Sequence, residues 1–167
     1  MSGINAIIYY APRIYELTGL GKESALLSTA GIGIANLLFT LLGWYLIDRV
    51  GRRILMYIGS IGYIVTLSLI AYAFYTESYT FVPVYIFAFI ASHAIGQGSV
   101  IWVFISEIFP NSVRASGMAW GSLTHWVFAA LVANFFPLFT ESYGGTLIFG
   151  FFAVMMVAQL AYVAFMM

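Results

Sequence analysis

The sequence contains no cysteine, so it forms no disulfide and offers no thiolate to a metal. Charge is scarce as well: charged residues make up 7% of the 167-residue chain, against about 25% in soluble domains. Six basic and six acidic residues cancel, which removes the positive field that nucleic-acid binding needs. The two histidines, His93 and His125, fall on separate apolar segments with no carboxylate between them at the same depth, so neither a metal centre nor a cofactor is expected. The same lack of clustered carboxylates and histidines argues against an enzyme. What is present is apolar surface. Hydrophobic residues reach 63% and the mean hydropathy is +1.00, which points to several membrane spans in contact with the lipid bilayer.

Charged residues cut the chain into neutral windows at 24–47, 54–76, 78–106, 115–140 and 142–167. These hold 24, 23, 29, 26 and 26 residues. A helix rises about 1.5 Å per residue, so about 20 apolar residues cross a hydrocarbon core of about 30 Å and each window holds one span. Barrel strands would alternate apolar and polar positions over about ten residues. Ala25 to Ile47 is instead apolar nearly throughout. The first neutral stretch, Ser2 to Pro12, has 11 residues, too few to span alone, and lacks the basic leader and small-residue cleavage site of a signal peptide. It reads as the later part of a helix whose beginning is missing. The expected helices are 2–18, 25–47, 54–76, 83–107, 115–138 and 146–167, an all-α integral membrane bundle over residues 1–167 with its first helix incomplete.

If the helices alternate in direction, the turns near 48–53 and 107–114 share one side and those near 18–24, 77–82 and 141–145 the other. Arg49, Arg52, Arg53 and Arg114 fall on the first side, against Arg13 and Lys22 near the second. The positive-inside rule makes the first side cytoplasmic and suggests the plasma (inner) membrane.

Polar residues at membrane depth are the informative ones, because an anchor needs none. Asn5, Asn36, His93, Gln97, His125 and Asn134 interrupt the apolar windows, accompanied by Tyr9, Tyr10, Trp102, Trp120 and Trp126. Each alone fits a helix-to-helix hydrogen bond worth about 0.6 kcal/mol. Together, amides beside aromatic faces suit a solvated cavity for a neutral, hydroxyl-rich ligand such as a sugar. Gly96 and Gly98 flank Gln97, where absent side chains let the helix bend or another group approach. Gly117 and Gly121 have the small-xxx-small spacing of close helix packing. Gly31 to Asn36 resembles a dinucleotide loop but lies inside an apolar helix with no preceding strand, so that reading is rejected. Asp48-Arg49-Val50-Gly51-Arg52-Arg53 crowds four charges into one turn, and Glu107 with Arg114 bracket another that contains Pro110. The arginines act as topology determinants beside anionic headgroups, whereas Glu107 gains most by pairing with a nearby arginine as a breakable latch.

At these residues the chain resembles the carboxy-terminal half of the sugar porter family, within the major facilitator superfamily. Ser2-Gly3-Ile4-Asn5-Ala6-Ile7-Ile8-Tyr9-Tyr10-Ala11-Pro12 is similar to the family's seventh-helix signature, Asp48 to Arg53 to the turn between helices eight and nine, and Trp102 through Ser106-Glu107-Ile108-Phe109-Pro110 to Arg114 to the end of helix ten. The resemblance covers almost the whole chain and implies a six-helix bundle equal to one half of a major facilitator fold. It implies that Asn5 and Tyr9, Asn36, and the pair His125 and Trp126 contact a monosaccharide, with Trp102 packed on the sugar ring. Tyr10, Gln97 and Gly98 adjoin these positions and complete the candidate substrate-binding set. It also implies that Arg52, Arg53, Glu107 and Arg114 belong to a gating charge network, and Asp48 and Arg49 of the same turn complete the candidate set.

The sequence departs from the family in several places. Glutamines precede the Ser2-Gly3 position in the family, whereas here the chain starts with Met1. Ser99, Val100 and Ile101 stand where many members have a proline, and His125 stands where an amide is common, which makes binding pH-dependent if its charge changes. The family's proline-glutamate-threonine tail signature is absent. The expectation is a secondary-active symporter, with a coupling proton, or a facilitative carrier. It would work by alternating access with a separate amino-terminal half or as a homodimer. The alternative is a non-transporting fragment or accessory subunit.

Overall fold

The computed structural model describes residues 2–17 and 22–166. Among them the backbone is helical, without strands: α1 (Ile4–Leu17), α2 (Lys22–Val50), α3 (Arg52–Tyr75), α4 (Val82–Ile95), α5 (Gln97–Glu107) and α6 (Arg114–Met166). The expected end of the first helix at residue 18 and the following residues to 21 lie outside the described residues, while 22–24, expected in the turn, already belong to α2. Four stretches are long and apolar enough to cross a membrane: Leu27–Val50, Arg52–Tyr75, Val82–Glu107 and Arg114–Phe165.

Two of these stretches differ from the expected helices. The single helix expected at 83–107 is broken into α4 and α5 at Gly96, whose φ of −89° and ψ of −102° leave the helical region. The chain has no proline at this break. Instead the Ser99 hydroxyl donates to the Ala94 carbonyl at 2.7 Å, occupying an acceptor at the interruption. Conversely, the helices expected at 115–138 and 146–167 are joined as α6, with Pro137 inside it and one non-helical residue, Gly144, at φ 77° and ψ 163°. A straight helix of 53 residues would reach about 80 Å, more than twice the hydrocarbon thickness. The helix folds back at Gly144 instead, and the rings of Phe136 and Phe149 meet at 6.3 Å between centroids. Only glycine adopts that backbone conformation readily, so the two arms, 114–143 and 145–166, are set by one residue.

The alternation of direction is visible in the contacts. Arg52 reaches Glu107 and Arg53 reaches the Ala164 carbonyl, which puts the turns near 51 and 108 and the end of α6 at one end of the bundle. At the other end Phe74 packs edge-on to Tyr79 and lies against Gly145. The core between them is built from Tyr15, Tyr63, Phe89, Phe149, Phe152 and aliphatic neighbours of α1, α3, α4 and the second arm of α6. The α2 side chains Leu37, Leu38, Leu41 and Trp44 stay exposed, as an apolar face turned to lipid would be.

Candidate functional site

Three segments far apart in sequence converge on one cavity. The start of α1 contributes Ser2 to Asn5, α5 contributes Ile101, Trp102 and Ile105, and the first arm of α6 contributes Gly121, Thr124, His125 and Phe128. The volume of this open-sided cavity is about 320 Å³, within the range of small-molecule sites, roughly 300–1,000 Å³. No charged side chain lines it among the described residues. Trp102 stands edge-on to His125 at 5.2 Å and 70°, and His125 stands edge-on to Trp126 at 5.4 Å and 85°. The imidazole is therefore flanked by two indoles, which restrict its rotation and leave an aromatic wall beside a polar ring.

The helical spacing explains this grouping. Trp102 lies within a turn of Ile105 on α5, and Gly121 and His125 are four residues apart on α6, so each pair shares a face. Gly121 leaves room for Ile105, bringing the two helices close at the cavity. The Thr124 hydroxyl donates to the Trp120 carbonyl at 2.9 Å, which leaves its oxygen lone pairs as acceptors. The Asn5 amide supplies donors and an acceptor, and the His125 ring a further site. The lining thus offers neutral hydrogen-bonding groups around an aromatic face, a chemistry suited to an uncharged hydroxyl-bearing molecule.

Of the other substrate-binding residues expected from the sequence, none lines this cavity. Tyr9 is 59% exposed on α1. The Tyr10 hydroxyl donates to the Ala133 carbonyl at 3.3 Å, and its ring packs on Phe136 at 5.3 Å, tying α1 to α6. Asn36 is half-buried on α2. Trp126 is 57% exposed and supports His125 from the side. Gly98 lies against His93, and Gln97 is buried against Ser60. The sequence did not single out Thr124, because hydroxyls in apolar helices commonly bond their own backbone and give no signal, and Ser2, just before α1, entered only as the first residue of the Ser2 to Pro12 signature. A second cavity of about 530 Å³ between the arms of α6 is lined by Phe135, Phe136, Phe139, Phe151 and other apolar groups, with nothing to orient a polyol.

The expected charge network is only partly assembled. Arg52 Nη2 and Nε donate to Glu107 Oε1 and Oε2 at 2.7 and 3.2 Å, a bidentate pair. Arg52 also lies 3.5 Å from Asp48, one turn earlier. Arg53 turns away to donate to the Ala164 carbonyl at 2.8 Å. Arg49 stacks over the Tyr45 ring at 4.3 Å, and Arg114 donates to the Phe109 carbonyl at 3.4 Å. Asp48, Arg52 and Glu107 are thus one cluster, while the other three arginines brace separate elements. The cluster joins the α2–α3 turn to the end of α5, the helix that carries Trp102.

The family described as "Sugar (and other) transporter" matches residues 1–167. The chain is 36% identical over 154 residues to the arabinose-proton symporter of Bacillus subtilis (strain 168), covering 91% of this chain and 33% of that protein. It is 35% identical over 141 residues to the D-xylose-proton symporter of Escherichia coli (strain K12), covering 84% of this chain and 29% of that one. The chain therefore spans about a third of the length of these curated relatives. Among solved structures, a major facilitator superfamily proton:xylose symporter bound to 6-bromo-6-deoxy-D-glucose superposes with a TM-score of 0.89 at 29% identity, over 98% of this chain and 36% of that one.

Proposed function

The chain belongs to the sugar (and other) transporter family, an all-helical integral membrane family of the major facilitator type, and on that footing we propose that it is the carboxy-terminal half of a monosaccharide carrier. The role is transport rather than catalysis. The bundle binds sugar at mid-membrane and works by alternating access against an amino-terminal half, with the turns at 48–53 and 107–114 on the cytoplasmic side of the plasma membrane. Asn5 and His125 hydrogen-bond the sugar hydroxyls and Trp102 packs on the ring. Arg52, with Glu107 and Asp48, closes the cytoplasmic end. The curated relatives are named as proton symporters, which supports sugar uptake coupled to a proton. The observation that carries the reading is the uncharged cavity where Asn5, Trp102 and His125 meet.

Uptake of labelled D-xylose, D-glucose and L-arabinose into proteoliposomes tests it, using the chain alone and the chain joined behind the amino-terminal six helices of a relative. Saturable uptake by the joined protein, lost in Trp102→Ala, is the expected result. No uptake by a folded and inserted joined protein would overturn it and favour a non-transporting accessory subunit. Uptake by the chain alone would show that two copies suffice.

A further inference from the structure

Gln97 opens α5 one residue past the break, and it is 7% exposed. Its amide Nε2 donates to the Ser60 hydroxyl of α3 at 3.0 Å, and Gln159 Nε2, from the second arm of α6, donates to the same oxygen at 3.2 Å. Three spans therefore meet on one hydroxyl. The packing around it is tight: a Cβ at Gly59 would collide with Gln97 Oε1 and with the Gly96 backbone, so the break seats against α3 only because residue 59 has no side chain. In this seat Gln97 Oε1 has no hydrogen-bond partner among the described residues. A buried carbonyl oxygen without a donor is unfavourable, and a rotation of α5 that found it one would relieve the cost. The Nε2 bond to Ser60 holds α5 in the present position against that rotation.

The eleven residues of α5 carry two parts of the site. Trp102 lies five residues beyond Gln97, roughly 7.5 Å along the axis, and lines the cavity. Glu107 ends the helix and grips Arg52. The neighbouring α4 is held separately, by the bond between its His93 and Tyr63 of α3.

We propose that Gln97 is a positioning residue whose bridge to Ser60 sets the tilt of α5 at Gly96, so that the Trp102 wall and the Arg52–Glu107 pair move together when the bridge lets go. The proposal rests on the carrier reading for what this movement serves, while the bridge itself is testable without sugar.

Because the protein has no cysteine, a single introduced one is a unique reporter. Val103 on α5 is partly buried against the group of Ile47, Leu55 and Val163, so Val103→Cys is partly shielded while α5 stays seated. Its maleimide labelling rate is measured in nanodiscs, with and without D-xylose, in the parent and in Gln97→Leu, Ser60→Ala and Ser60→Thr. Labelling about tenfold faster is expected in Gln97→Leu and Ser60→Ala, the effect of losing one buried hydrogen bond, with Ser60→Thr restoring the parent rate. D-xylose changes the parent rate and leaves that of Gln97→Leu unaltered. Sugar-free rates equal to the parent in both variants would overturn the proposal, as would Ser60→Thr labelling as fast as Ser60→Ala, which would assign the effect to packing. A parent that ignores D-xylose would count against the carrier reading, while the sugar-free comparison still decides the bridge.

Discussion

Breaking the Arg52–Glu107 pair tests the charge cluster most directly. The side chains are 35% and 47% exposed, so solvent screens a large part of their attraction and the energy of a buried pair does not apply. The two parallel bonds at 2.7 and 3.2 Å place the pair at the upper end of the exposed range, about 1 kcal/mol. Asp48, one turn away at 3.5 Å and largely exposed, adds about 0.3 kcal/mol and partly compensates Arg52 when Glu107 is lost. A double-mutant cycle of Arg52→Gln and Glu107→Gln, read by unfolding titration in mixed micelles, isolates the pairwise coupling. The expected coupling is about 1 kcal/mol, roughly a fivefold change in the folded-to-unfolded ratio. In 1 M salt, where the Debye length falls to about 3 Å, it should drop below half. Effects that add within about 0.3 kcal/mol would refute the pair as an energetic contact, and a coupling indifferent to salt would refute its electrostatic origin.

The same titration checks three further outcomes. Gly144→Ala should destabilise the protein by about 1–3 kcal/mol, all of it from the backbone, because nothing lies within 4 Å of the added carbon. Glu77 holds a left-handed φ of 53° in the turn after α3, so Glu77→Asn should stabilise by about 0.5–1 kcal/mol, and a loss of stability would contradict the strain. Tyr10→Phe should cost about 1 kcal/mol by removing the bond to Ala133 while keeping the ring on Phe136, whereas Tyr9→Phe, at an exposed site, should change nothing measurable.

The apolar stretches were legible because length and hydropathy alone mark them, and Asn5, Trp102 and His125, which the structure brings to one cavity, stood out in the sequence because each is conspicuous in an apolar window. The break in the fourth window was harder to place. Its cause is a glycine whose non-helical torsions are supported by Ser99 of its own span and by Gly59 of another helix, and no pattern within the window announces that contact. Gln97 shows the same limit. Its polarity marked it as functional, but the direction it faces follows from the break; its partner Ser60 lies 37 residues before it, and Gln159, which donates to the same hydroxyl, lies 62 after it. Pro137 misleads in the opposite sense: it suggests the end of a helix, yet the chain stays helical beyond it and turns only at Gly144. Among the charges, sequence placed six residues at one end but could not say which arginine reaches Glu107, since Arg52 and Arg53 point to different sides of one helix.

The cavity draws its walls from segments far apart in sequence, and this sets an order on biogenesis. Asn5 emerges from the ribosome about 120 residues before His125, and the tie between Tyr10 and Ala133 bridges 123 positions. Until the first arm of α6 has inserted, the amide of Asn5 has no wall opposite it and must be sheltered by water, by lipid headgroups or by the insertion machinery. Quality control that samples nascent chains would therefore meet an unshielded polar group throughout the synthesis of α2 to α5, and substitutions that slow the docking of α6 would lower protein abundance even where they leave the cavity lining unchanged.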